Sequence, residues 1–395
     1  MQRITLSCVC GLLLLLNAGC SQTSTPKLND DPRQYLVDEL FSPISADEIE
    51  TEQEIFALPD YAISDMKRMV KPLRSAREKT DALLNYIFFL KGKSITYDNS
   101  ATLTATETLA RHQANCLSLT ILAYSLSKMA NLDVTFQDVQ IPEYWTHVQG
   151  VSLLNGHVNL KVSGGSSQSL AGQLSYEQFG YVIDFDLETN KSHFPVHSLK
   201  KPQIVAMFYN NKAAQAMIAK NYDLAYAYFK AAVLVDPNSS ESWNNIAVLY
   251  RMKDRLDLAE QLYLIALRLD PESINSKSNL ALLYQLTGKM EKSAELQRSV
   301  LKQRLENPYY HIMLGNEAMQ NQELHKAIRH FQYSLKLNDK GSEAMAGLAK
   351  VYYQLGEPAS AERYLLQAKR FAPGAQERAR YQSKLQSLQT AAKHY

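Results

Sequence analysis

WNNIAVLYRMKDRLDLAEQLYLIALRLDP, residues 243–271, carries the pattern that decides the fold of half the chain. Its landmarks are Trp243, Ile246, Ala247, Tyr250, Ala259, Tyr263 and Pro271. Steps of 34 residues recover the same landmarks on both sides. Ala225, Ala259, Ser293, Ala327 and Ala361 form a column of small residues. Ile246, Leu280, Leu314 and Leu348 form an aliphatic one, and Tyr250, Tyr284 and Tyr352 an aromatic one that Ala318 interrupts. Pro237, Pro271 and Pro373 form the last column, with Leu305 and Asp339 in its gaps. Small side chains let two antiparallel helices approach closely, and proline stops the second helix of each pair. The period predicts five helix pairs beginning near residues 203, 237, 271, 305 and 339. A last helix over roughly 375–392, rich in Gln, Lys and Ser, has the character of the polar cap that a stacked array needs.

These columns resemble the tetratricopeptide repeat. The resemblance implies an all-α solenoid over residues 203–395 whose groove binds a peptide or protein partner.

The other half of the chain differs in kind. The whole protein has 395 residues and a net charge of +2, which argues against general nucleic-acid binding. Hydrophobic residues at 46% and charged residues at 21% exclude wholesale disorder. Residues 1–200 carry 16 Lys/Arg against 22 Asp/Glu, a balance of −6, whereas residues 201–395 carry 26 against 18, a balance of +8. Two modules of opposite charge are expected, and they could dock on each other.

The N-terminus reads as an export signal. Arg3 is followed by the apolar run Ile4 to Leu16, short of the ~20 residues that a membrane span needs. Ala18-Gly19 then precedes Cys20. This resembles a bacterial lipoprotein signal over residues 1–20, which implies lipidation at Cys20. Ser21 in place of Asp implies sorting to the periplasmic face of the outer membrane. Residues 21–35, with Pro26 and Pro32, read as a flexible tether. Residues 36–202 read as one α+β domain. Its pattern is mostly helical to about residue 90, with strands later at Val134 to Ile141, His157 to Val162 and Tyr181 to Phe185.

The chain has four cysteines, Cys8, Cys10, Cys20 and Cys116. Signal cleavage and lipidation leave Cys116 as the one free thiol, so an internal disulfide and a cysteine-built zinc site are both excluded. Asn115 is a good helix N-cap, and Leu117 to Met129 continue with helical character. Unpaired N–H groups and the positive dipole end at such a terminus favour a thiolate. His157 starts an alternating strand, with Asn159 on the same face. Asp184, flanked by apolar residues, needs a partner there. His147 is an alternative base and Asp186 an alternative carboxylate. No His-Glu-x-x-His occurs, and Gly92-Lys93-Ser94 has Ile87 where a phosphate loop needs glycine, so no metal or cofactor is called for.

The order of cysteine at a helix start, histidine on a strand and aspartate on the next strand resembles the transglutaminase-like superfamily with its papain-like core. The segment Thr106 to Leu119, Gly156-His157-Val158-Asn159 and Val182-Ile183-Asp184-Phe185 carry the resemblance. It implies Cys116 as nucleophile, His157 as general base and acid, and Asp184 as its orienter. The implied chemistry is acyl transfer from peptide or protein amides, with hydrolysis preferred over cross-linking. The other reading of the chain is an inactive adaptor that works through its repeats.

Overall fold

The computed structural model describes residues 27–89, 95–140, 145–148, 151–154, 156–163, 181–185, 196–372 and 375–392. The N-terminal region opens with residues 27–51, which hold three short 3-10 turns at Pro32–Tyr35, Asp38–Leu40 and Ala46–Glu48. Helices α1 (Glu52–Phe56), α2 (Asp60–Val70) and α3 (Ala76–Phe89) follow. A short parallel pair, β1 (Thr96–Tyr97) and β2 (Gln113–Ala114), flanks α4 (Ala105–Arg111). Then come α5 (Cys116–Met129) and β3 (Val134–Val139). The hairpin β4 (Trp145–Val148) and β5 (Val151–Leu154) precedes β6 (His157–Val162), β7 (Tyr181–Ile183) and β8 (Val196–Leu199).

The four-stranded sheet has the order β7-β6-β3-β8, and every pairing in it is antiparallel. Helix α5 covers it. Leu119, Ile121, Leu122 and Leu126 are buried together with Phe136, Leu160, Val162 and Ile183. Tyr124 stacks on Phe136 at 4.5 Å, and the Thr120 hydroxyl donates to the Val158 carbonyl at 3.2 Å. The helix that begins with Cys116 is therefore clamped to the strand that begins with His157.

Among the described residues the C-terminal part holds five antiparallel helix pairs. They are α6 (Lys201–Ile218) with α7 (Tyr222–Val235), α8 (Ser240–Met252) with α9 (Leu256–Leu269), and α10 (Ile274–Leu286) with α11 (Met290–Leu305). Next are α12 (Pro308–Gln320) with α13 (Leu324–Leu337) and α14 (Ser342–Gln354) with α15 (Pro358–Phe371). Helix α16 (Ala375–Ala392) follows, with Tyr381, Leu385 and Leu388 buried against the last pair. Ala225, Ala259, Ser293, Ala327 and Ala361 are all buried at the helix crossings. Where Leu305 replaces proline, α11 continues to 16 residues against 14 for α9. Asp339 fills the same gap after α13, which still ends after 14 residues, so the missing proline alone does not set the length.

Two expectations change. Residues 27–35, which composition assigned to a flexible tether, lie against the repeats, and residues 36–50 are not mostly helical. Phe41 is the reason. It is buried and stacks on Tyr226 of α7 with ring centroids 4.0 Å apart. Burial of such a ring is worth about 2 kcal/mol, enough to hold an otherwise polar segment. The remainder of the N-terminal region is joined to α6 as well. Lys201 sits over the Phe56 ring at 4.4 Å, and Gln215 donates to the Ser100 carbonyl at 2.5 Å.

Candidate functional site

Cys116 occupies the first position of α5, and the turn before it is built from polar groups that leave little freedom. Asn115 caps the helix by accepting the Ser118 N–H at 2.9 Å, and its Nδ2 donates to the Thr102 hydroxyl at 2.8 Å. Ser118 Oγ accepts the Leu103 N–H at 2.7 Å and donates to the Ala101 carbonyl at 3.1 Å. Thr102, Asn115 and Ser118 are buried, whereas Cys116 is half-buried. The thiol thus stands at the rim of a fixed helix end, beside N–H groups that the helix itself does not use.

His157 enters from β6. It is only 2% exposed, and its Nε2 lies 2.8 Å from Oδ1 of Asp184. Asp184 follows directly on β7 and is itself 6% exposed in its side chain. The antiparallel register Leu160↔Ile183 brings the two residues together. The Cys116 side chain is the ring's other polar neighbour, and its Sγ lies 3.9 Å from the Gly156 carbonyl. Nε2 is committed to the carboxylate.

The electrostatics follow from this geometry. Burial pulls the imidazole toward neutrality. The hydrogen bonds to Asp184 and Cys116, with their charges, outweigh burial and raise the His157 pKa to about 10. Asp138, on the strand next to β6, is raised by burial and held back by the Gln140 amide and by His197 and His157. The site favours an imidazolium facing one carboxylate and one thiol.

The structure therefore brings Cys116, His157 and Asp184 together. His147, the alternative base, lies on β4 opposite Ser152. Asp186 and Cys20 lie outside the described residues. Asn159 gains a role that its sequence position alone did not assign. Its Nδ2 donates to Oδ2 of Asp184 at 3.0 Å, so both carboxylate oxygens are held. The i, i+2 spacing from His157 was the available signal. Among the described residues no cluster of three or more His, Cys, Asp or Glu has metal-binding geometry.

On the repeat side an open cavity of about 280 Å³ lies between α10, α11 and α12. Ala281, Leu282, Val300, Leu301, Arg304 and Tyr310 line it. Leu282 and Leu301 are exposed there.

Tetratricopeptide repeats match residues 216–274 and 312–376. No curated protein matches the chain. Among solved structures it is similar to pilF of Pseudomonas aeruginosa, at 17% identity and a TM-score of 0.26 over 49% of this chain and 93% of that one. It is also similar to YrrB, a TPR protein with an unusual peptide-binding site, at 15% identity and a TM-score of 0.24 over 45% of this chain and 92% of that one. MamA is similar at 16% identity and a TM-score of 0.24, over 42% and 91% of the two chains. The C-terminal part of the protein is an all-helical tetratricopeptide-repeat solenoid.

Proposed function

We propose that the protein is an interaction scaffold whose repeats hold a peptide or protein partner. The stack of five helix pairs, two stretches of which match the repeat family, carries this reading. A photo-crosslinking residue placed at Leu301, beside the α10–α12 cavity, tests it in cells. An adduct heavier than the chain is expected, and its absence over repeated trials would count against the scaffold.

A second reading has a specific observation behind it. Cys116, His157 and Asp184 share one site, with His157 Nε2 and Asp184 Oδ1 2.8 Å apart. In this reading the Cys116 thiolate attacks the carbonyl carbon of a peptide or protein amide and forms a thioester. The His157 imidazolium gives its proton to the departing amine. Water, or a second amine, then attacks the thioester and releases the thiol. Hydrolysis is the preferred outcome. Iodoacetamide alkylation of the Cys20→Ser chain across pH 5 to 9 tests this, since only the thiolate reacts quickly. Alkylation that persists below neutral pH, and that falls about tenfold in His157→Ala, is the expected result. Equal rates in both proteins would leave the scaffold reading alone.

The proposed setting is the cell envelope, with the chain lipid-anchored at Cys20 on the periplasmic face of the outer membrane. Arg3, the run Ile4 to Leu16, Cys20 and Ser21 support it. Among the described residues no helix is long and apolar enough to cross a membrane. Incorporation of an alkynyl fatty acid should vanish in Cys20→Ser; incorporation that persists would exclude this anchor.

A further inference from the structure

Residues 27–50 contact the first repeats as a bound peptide would. Their main chain is read by side chains far along the sequence. The Leu28 N–H donates to Asn238 Oδ1 at 2.9 Å, and the Val37 N–H to the Tyr250 hydroxyl at 3.0 Å. The Ser42 N–H donates to Asp223 Oδ1 at 3.1 Å. In the other direction, Tyr250 donates to the Tyr35 carbonyl at 3.3 Å, and Tyr209 to the Glu50 carbonyl at 2.5 Å.

Side chains add a charge code. Asp38 accepts from the Tyr226 hydroxyl at 2.8 Å and pairs with Lys230 at 2.7 Å. Glu50 accepts from Tyr228 and pairs with Lys212, each at 2.8 Å. Phe41 stacks on the Tyr226 ring, and Lys253 Nζ lies 5.3 Å from its centroid. Phe41 is also the one residue of 27–50 that is buried. Leu28, Tyr35, Leu36, Val37, Leu40 and Ile49 pack half-buried against the same core. Phe41 is thus the one closed contact, and the others keep an open edge to solvent, as a segment that can leave requires.

We propose that the face formed by α6, α7 and α8 is a binding surface for acidic peptides that turn tightly into an aromatic anchor, filled in cis by residues 27–50 until a partner segment of the same chemistry displaces them. The proposal rests on the scaffold reading and names the partner class for its first repeats. The recognised features are an aspartate three residues before an aromatic, as in Asp38 and Phe41, the 3-10 turn that joins them, and main-chain N–H groups free at its flanks, as at Val37 and Ser42. The face supplies the complement in Lys212, Lys230 and Lys253 and the hydroxyls of Tyr209, Tyr226, Tyr228 and Tyr250. A tethered strap competes at high effective concentration, so a free peptide binds poorly until the strap is weakened.

The test uses the full chain and a fluorescein-labelled synthetic peptide of residues 27–50. The double variant Asp38→Ala/Phe41→Ala loosens the strap and leaves the face intact. It should bind the peptide at least tenfold more tightly than the wild type does. Adding Lys230→Glu to it should abolish that gain. A double variant that melts like the wild type yet shows no gain overturns the proposal. Hydrogen exchange on the wild type keeps the question decidable if the variant does not fold. Amides of Val37 and Ser42 that exchange at least a hundredfold faster than those in the middle of α8 support a strap that leaves. Equal protection makes the strap a permanent part of the fold and overturns the proposal. The Leu301 crosslink reports on repeats that the strap does not touch, so the scaffold reading and this proposal can fail separately.

Discussion

His157 concentrates the chemistry of the N-terminal region in one side chain. Its pKa rises from an ordinary ~6.5 to about 10, because the bonds to Asp184 and Cys116 outweigh the cost of burial. A base whose folded pKa is raised stabilises the fold fully below its unfolded value and loses that contribution as pH rises through the folded value. The stability lost in His157→Gln should therefore be largest below pH ~6.5 and shrink toward about pH 10, read by urea unfolding at each pH. Asp138, Asp184 and Cys116 all face this ring, so the series is repeated in Cys116→Ser to remove the thiol. A stability gap that stays constant from pH 6 to 10 would contradict the imidazolium assignment. The cysteine end of this site was legible beforehand, because an asparagine before a helical run announces an N-cap. The double grip on Asp184 was not. It depends on the register of β6 against β7, which places Asn159 beside a carboxylate 25 residues away.

Among the elements, α12, α13 and α14 cross closely around one ring. Phe331 of α13 is fully buried, and the positions facing it on the neighbouring helices are glycines. A Cβ on Gly347 would lie 2.4 Å from the Phe331 ring, and one on Gly315 would lie 2.8 Å away. Gly347→Ala should destabilise these repeats by roughly 1–3 kcal/mol through overpacking, despite the better helix propensity of alanine. Gly315→Ala should cost less. Adding Phe331→Leu to Gly347→Ala should recover part of the loss, measured by the change in denaturant midpoint. A gain in stability from Gly347→Ala alone would show that the ring has room to move. The repeat period marks where helices cross, but it does not reveal that one ring fills the space of two missing side chains.

The whole molecule divides differently from its sequence. One buried core runs from Phe41 through the sheet and α5 into the first three helix pairs, as far as Tyr284. Separate buried clusters hold the fourth and fifth pairs and α16. Hydrogen exchange in increasing denaturant should show α12 to α16 opening at lower free energy than α5 to α9. Uniform protection along the solenoid would mean that the clusters act as one. Among the described residues three ion pairs join the acidic and basic halves: Glu52 with Lys201, Glu50 with Lys212 and Asp38 with Lys230. All are partly exposed, and such pairs contribute only ~0–1 kcal/mol each. The shared apolar core should therefore keep the scattering profile unchanged from low to high salt. Expansion at high salt would assign the docking to charge instead.

The amino-acid sequence by itself determined the solenoid, because a repeat writes the same local demands every 34 residues and helix pairs answer them locally. It also marked Cys116, because a helix N-cap is a short-range feature. Only the tertiary structure decided the path of residues 27–50. Their partners Tyr226 and Tyr250 lie 188 and 213 residues away, so no local period could reveal them. It also decided that His157 and Asp184 form one buried pair, since two half-buried strands acquire a shared site only when their register is set.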